Sequence, residues 1–370
     1  MVEEWPDRLG CFSGVGKEAH LMERMTRREF LRAGVGLAAV ATGLEMIAGC
    51  ATNEPAKVTP LAYPPLPYKK IQSPQEGCLV GFFKEPDASL YRITNVEIGI
   101  TYVEKALGAK PCIYSLPWSR LYSGFPMPQA IEVAKKSITP YVYAALSSHH
   151  SPIRISGLGP KEIAQGQHDG TIKKFAQSAA EFGKEYGGFF ITTMEEMNGN
   201  WFSWGMNSNF IPAWRRIWQI FEDQGANQYA TWVWAATCPE GLPSRMVDDP
   251  KLYYPGDRYV DWIGLCAFSV AKTPTLDLML NVLVDGTYRS FFKDHPQKPF
   301  MISAFGRTNE TYQHRWLINA YRRIKNSFPA IKAIIYHDNT WWGTGDHTLN
   351  SKSLETLKEI FKDPYWIMVK

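Results

Sequence analysis

Glu195 and Glu196 stand side by side ahead of Met197-Asn198-Gly199-Asn200-Trp201-Phe202-Ser203-Trp204-Gly205, directly after the apolar run 188–194. A carboxylic acid beside flat aromatic side chains at the end of a strand is what cleavage of a sugar chain requires. One carboxyl protonates the leaving oxygen, a second works from the other side of the ring, and indole faces hold the pyranose. Glu196 is the candidate acid. Trp201, Trp204, Trp234, Trp341 and Trp342 fall at expected strand ends or in loops, where sugar platforms belong. Trp214, Trp218 and Trp316 repeat at helical spacing and read as core. His149 and His150 follow a third strand and can hydrogen-bond hydroxyls. With no third ligand in view they make no metal site, and no cofactor motif occurs.

These residues need a scaffold that gathers strand ends. Apolar runs at 78–83, 111–116, 139–146, 188–196, 229–235, 260–268, 299–305 and 331–336 alternate with helix-like patterns. In 211–224, for example, Trp214, Ile217, Trp218 and Phe221 share one face and Pro212 sits near the first turn. Eight strand–helix units predict an α/β chain folded as a (β/α)8 TIM barrel, with chemistry at the C-terminal strand ends. An open doubly wound sheet would want a Gly-rich phosphate loop after its first strand, and Gly81-Phe82-Phe83-Lys84 is not one.

Composition agrees with a large packed core. The 370 residues are 45% apolar, 14% aromatic and 21% charged, and they include 13 Trp. A formal charge of +4 with scattered Lys and Arg leaves no electrostatic footprint for nucleic acid. Cys78, Cys112, Cys238 and Cys266 show no Cys-x-x-Cys spacing and read as buried free thiols.

The N-terminal region reads as an address. Thr26-Arg27-Arg28-Glu29-Phe30-Leu31-Arg32 has the twin-arginine pattern, followed by the apolar stretch 33–48 and the lipobox-like Ile47-Ala48-Gly49-Cys50. That stretch is short for a membrane span and carries Glu45. Cys50 is then the lipidated first residue of an exported protein anchored in the cell envelope, on the periplasmic side or in the outer membrane. Ala51 carries no inner-membrane retention signal. Residues 1–24 have no role in such a signal, so translation is expected to start at Met22 or Met25. Residues 25–50 form the signal, 51–75 a Pro-rich tether, and 76–370 the barrel.

Along 77–363 the sequence resembles glycoside hydrolase family 26, best known for β-1,4-mannanases. The resemblance rests on Glu196-Met197-Asn198-Gly199, Trp201, Trp204-Gly205, Ala213-Trp214-Arg215-Arg216 and Thr231-Trp232-Val233-Trp234. Further along it rests on Tyr254-Pro255-Gly256-Asp257, Val260-Asp261-Trp262-Ile263-Gly264 and Lys298-Pro299-Phe300-Met301-Ile302-Ser303. It implies a retaining enzyme with Glu196 as general acid/base ending the fourth strand and a nucleophilic Glu ending the seventh. The nucleophile position maps onto Ala304. The His expected before the acid is Glu195, and the Tyr expected at the end of the sixth strand is Phe268. A methyl group cannot attack an anomeric carbon.

Three readings stay open at this point. In one, a lapsed glycosidase, a pseudoenzyme, binds a β-linked polysaccharide such as mannan at the envelope. In another, Glu196 acts as acid while Glu195, Asp338 or Glu310 activates water, with inversion if the carboxyl groups stand ~6.5 to 9.5 Å apart. The third is a structural lipoprotein.

Overall fold

A computed structural model of the chain describes residues 70–84, 96–117, 119–145, 159–239, 244–269, 286–341 and 345–369. The chain divides into two units, Met1–Thr59 and Pro60–Lys370. The first lies wholly outside the described residues, as do Cys50, the signal and residues 51–69 of the tether.

In the second unit eight parallel strands close a barrel. They are β1 (Cys78–Lys84), β2 (Ile113–Ser115), β3 (Thr139–Ala145), β4 (Phe189–Thr193), β5 (Ala230–Thr237), β6 (Trp262–Ser269), β7 (Phe300–Arg307) and β8 (Ile331–Asp338). Each pairs with the next, and β8 returns to β1 through Leu79–Ala333 to Lys84–Asp338. The helices α1 (Val96–Leu107), α2 (Met127–Lys135), α3 (Pro160–Ala164), α4 (Asp169–Tyr186), α5 (Phe210–Asp223), α6 (Gly286–Asp294), α7 (Gln313–Ser327) and α8 (Ser351–Ile360) lie between and after them; α3 and α4 both fall between β3 and β4, and among the described residues β5 and β6 are joined through short 3-10 turns at Pro250–Tyr253 and Asp257–Tyr259. All eight expected strands are present. The fourth is shorter than expected: it stops at Thr193 rather than running to Glu196.

Two cores follow from the period of two along each strand. Ile113, Tyr141, Phe190, Val233, Met301, Ala333 and Ile335 fill the barrel interior. Their strand neighbours, such as Phe300 and Ile302 on either side of Met301, join the larger core beneath the helices. There α5 buries Trp214, Ile217, Trp218 and Phe221. Trp214 and Phe221 close on Trp232 with ring centroids 5.5 and 5.0 Å away.

The N-terminal end of the barrel is sealed by the chain that enters it. Lys70 Nζ meets both carboxylate oxygens of Asp261 at 2.9 and 2.7 Å, and the Ile71 amide donates to Thr231 Oγ1 at 2.8 Å. Asp261 also accepts from the Trp232 amide at 2.8 Å. Ile71 packs against the interior core. The fold therefore reaches back to Lys70, ahead of the start expected at Glu76.

Candidate active site

After β4 the backbone turns sharply through 194–199. Met194 and Glu196 both adopt the left-handed region, at φ 49° and 52°. That conformation costs a residue with a Cβ about 1–3 kcal/mol and persists where surrounding contacts fix it. Here the Glu196 amide donates to Ala235 O at 2.7 Å and the Gly199 amide to Glu196 O at 2.9 Å. Asn198, fully buried, completes the clamp. Its amide nitrogen donates to Thr237 O at 2.9 Å and Asp248 O at 3.1 Å, and its oxygen accepts from the Thr237 amide at 3.0 Å. Sequence reasoning treated Asn198 only as part of a motif. Its role in tying the turn to the end of β5 depends on a buried loop contact that spacing does not reveal.

The turn presents the half-buried Glu196 carboxyl, whose Oε2 accepts from Trp201 Nε1 at 2.8 Å. Burial pushes its pKa up, while hydrogen bonds from Trp201, Thr237 and Cys266 pull the other way. An upward shift is the direction that suits a general acid. Trp201 is 38% exposed, so one indole both orients the acid and offers a face to solvent. Gly199 permits this arrangement: a Cβ there would lie within 2.3 Å of the Trp201 ring.

Two expected platforms are scaffold instead. Trp204 is buried, stacked on Phe202 at 4.4 Å, and its Nε1 donates to Glu195 O at 2.8 Å. Trp234 is buried on the outward face of β5, against Phe291 at 5.0 Å, and its Nε1 donates to Tyr253 O at 3.0 Å. Strand alternation turns Ala235, not Trp234, toward the mouth. Trp342, His149 and His150 lie outside the described residues. So does the side chain of Trp341, whose backbone forms a short strand, Thr340–Trp341.

Across the mouth, Ala304 is buried beside Ala235 and Cys266, with the half-buried Phe268 packed against this cluster. The β6–β7 register slips here: Leu265 faces Ile302, but Cys266 faces Ala304. Ser303 is the extra residue of a β-bulge, which re-aims side chains locally. Its hydroxyl lies 3.5 Å from Cys266 Sγ, an ordinary separation for a hydrogen bond involving sulfur, and 3.4 Å from Leu265 O, a long contact. Phe268 packs between His337 and His347, at centroid distances of 5.6 and 5.1 Å. Burial holds His337 neutral, with its pKa down to about 3.

The other candidate carboxylates are occupied or interior. Asp338, fully buried, meets Lys84 Nζ at 3.1 Å and accepts from the Leu349 amide at 2.9 Å; burial still raises its pKa. Glu310 pairs with Arg307. Glu195 is 3% exposed and turns inward, where its charge raises the pKa values of Tyr141, Tyr143 and Cys266 beyond the larger effect of burial. Cys78, Cys238 and Cys266 are buried free thiols; Cys112, also free, is half-buried. Among the described residues no group of three His, Cys, Asp or Glu stands together as a metal cluster.

Comparison with known proteins bears on this arrangement. The sequence profile described as "Glycosyl hydrolase family 26" matches residues 165–370. A 158-residue stretch is 31% identical to "Mannan endo-1,4-beta-mannosidase A and B" of Caldalkalibacillus mannanilyticus. The match takes in 40% of this chain and 27% of that protein, so the chain spans well under half the length of that relative. The Bacillus subtilis mannanase BCman superposes with a TM-score of 0.58 at 18% identity, covering 80% of this chain and 88% of that one. A modular endo-beta-1,4-mannanase from Cellulomonas fimi gives 0.58 at 17% identity, covering 79% and 72%. At such identities the structures speak for the shared fold.

Proposed function

The chain belongs to glycosyl hydrolase family 26, and from that premise we propose that it engages a β-linked, mannan-like polysaccharide at the barrel mouth without hydrolysing it by double displacement. The single observation that carries this reading is the asymmetry of the mouth. Glu196 with its Trp201 donor occupies one wall. Ala304 occupies the position where the family resemblance expects the nucleophilic Glu, among the small side chains Ala235 and Cys266. Trp201 lies under the apolar face of one sugar, and Glu196 hydrogen-bonds the adjacent glycosidic region.

In this reading none of the alternative carboxylates weighed above, all of them among the described residues, stands in for the missing one. Asp338 and Glu310 are held by cations. Glu195 is buried in the interior, where an attacking water has no access.

The test combines binding with turnover. The full chain is run through gels cast with β-mannan, xylan or β-glucan, and reducing-end release from the same polymers is followed for the natural chain, Ala304→Glu and Glu196→Gln. The expected result is retardation by mannan, no release by the natural chain, and release regained in Ala304→Glu. Release by the natural chain that disappears in Glu196→Gln would overturn the reading in favour of an inverting route. Absence of retardation by any polymer would overturn the binding itself.

We also propose that Cys50 carries a lipid that anchors the chain in the cell envelope, as the twin-arginine and lipobox-like segments support. Incorporation of labelled palmitate in the producing cell, lost in Cys50→Ser, is the expected outcome. Equal labelling of both chains would sink it.

A further inference from the structure

We propose that the outer face of α7, with the neighbouring side of α6, docks on a phospholipid surface rich in anionic headgroups and lays the barrel on its side there. This surface is separate from the mouth, and it draws on the Cys50 reading only for where such a membrane is met.

The fold gathers cations that look scattered along the sequence. Helix α7 carries Arg315, Arg322, Arg323 and Lys325, and it is the one of the eight described helices with no Asp or Glu. Carboxylates near its ends are held by other partners, Glu310 by Arg307 and Asp363 by Lys325, while Asp294 at the end of α6 is held by Lys251. Arg315 and Arg322 are exposed. The first stands over the Tyr312 ring at 5.4 Å, and the second donates from Nη2 to Asn319 Oδ1 at 2.6 Å. Among the described residues neither forms an ion pair with a carboxylate. The exposed Arg289 and Lys293 of α6, one turn apart, line an open cleft of about 380 Å³ whose other side is Ser327 and Pro329. That is room for a headgroup phosphate between two cations and a hydroxyl.

Charge alone would suit any polyanion. A membrane is singled out by the apolar side chains set among these cations: Tyr312 is 52% exposed and Ile318 44%. Positions 312, 315, 318 and 322 are three and four apart, so tyrosine, arginine, isoleucine and arginine form one stripe about 15 Å long. A hydrated acidic polymer offers an exposed isoleucine nothing. At a bilayer that side chain enters the boundary below the headgroups while the guanidinium beside it meets phosphate. Helices ring such a barrel along its sides, so contact along α7 opens the mouth along the membrane surface, toward glycan lying on it. A lipid on Cys50 keeps this face within reach, since the chain from Cys50 to Lys70 extends at most about 70 Å.

The experiment uses the full chain carrying Cys50→Ser, so that docking is read without an attached lipid and fails or stands apart from the anchor. Phenylglyoxal modification of each arginine is followed by peptide mass with no vesicles, with phosphatidylcholine vesicles, and with vesicles of equal parts phosphatidylglycerol and phosphatidylcholine. Arg216, on α5 two helices round the ring, is the internal reference. We expect the anionic vesicles alone to slow Arg315 and Arg322 relative to Arg216, and added salt to relieve the slowing. Tyr312→Ser with Ile318→Ser should raise the lipid concentration for half-protection on the order of 10-fold, and Lys293→Gln roughly 5-fold. All three side chains are exposed or half-exposed, and an unchanged Arg216 rate in each variant reports an intact fold. Equal rates with and without anionic vesicles overturn the proposal, as does equal slowing by phosphatidylcholine. Slowing by soluble polygalacturonate that matches the vesicles and ignores the serine pair would overturn it in favour of an acidic polymer.

Discussion

The turn after β4 and the bulge in β7 face each other across one mouth and are built on opposite plans. The first is polar and over-determined: two left-handed residues, a buried Asn bonded three ways, and an indole that donates to the carboxyl it borders. The second is small and apolar, a register slip that turns Ser303 and Ala304 toward Cys266. Random decay would be expected to loosen a costly turn first, since strain survives only where contacts enforce it. An acid wall so firmly built beside the small side chains around Ala304 fits the proposed reading, in which the mouth engages a glycan without double displacement.

The comparison is broken most severely at the two tryptophans of the acid wall. Trp204→Ala should cost about 3–5 kcal/mol of stability in urea unfolding, because the ring is buried and supports the turn. Trp201→Ala should leave unfolding nearly unchanged and weaken polysaccharide binding by about 1–2 kcal/mol, roughly tenfold in Kd. The reverse pattern would exchange their roles and make Trp204 the platform.

Next in size is Asn198→Ala. It strips partners from Thr237 N, Thr237 O and Asp248 O, and buried groups left unmade cost about 1–3 kcal/mol each before water or relaxation recovers part. A net loss of about 3 kcal/mol is expected, with amide exchange at Glu196 and Thr237 accelerated ahead of the barrel strands. A loss under about 0.5 kcal/mol would show that the turn holds without its clamp.

On the opposite wall Gly306→Ala sharpens the contrast. A Cβ there lies 3.0 Å from the Phe268 ring and 3.1 Å from His347 Cγ. Overpacking should cost about 1–3 kcal/mol, and Phe268→Leu in the same chain should restore part of it. No cost for the single change would mean that this wall yields freely.

Much of this was legible in the sequence, and the exceptions have physical causes. Apolar runs locate all eight strands because burial on both faces leaves a continuous apolar signature. Side-chain parity was legible too, though unused: Trp232 and Trp234 alternate with Val233 and Ala235, so both indoles share the face toward the helices. Trp204 gave no such signal, since its burial follows from where the turn folds. The strand expected to reach Glu196 ends at Thr193 because Met194 and Glu196 take positive φ, which neither residue type advertises. The bulge is equally silent, because Ile302-Ser303-Ala304-Phe305 reads as ordinary strand. The candidate acid could be found from residue type and position. What surrounds it depended on backbone geometry.

The smallest expected effect is a pH slope, and it tests whether the acid is still held as an acid. Burial raises the pKa of Glu196 in the fold above its value in the unfolded chain. The folded state then binds the proton more tightly, so protonation favours folding: the contribution is present below the unfolded pKa and is lost as pH rises through the folded one. Glu196→Gln removes that titration while Asp338, also raised by burial, remains in both chains. The difference in stability between natural chain and variant should therefore move in favour of the variant as pH climbs from about 4 into the neutral range. A difference that stays flat would mean that the hydrogen bonds of Trp201, Thr237 and Cys266 balance desolvation. Glu196 would then sit in the mouth as an ordinary carboxylate, a hydrogen-bond acceptor for sugar without the poised proton that an acid requires.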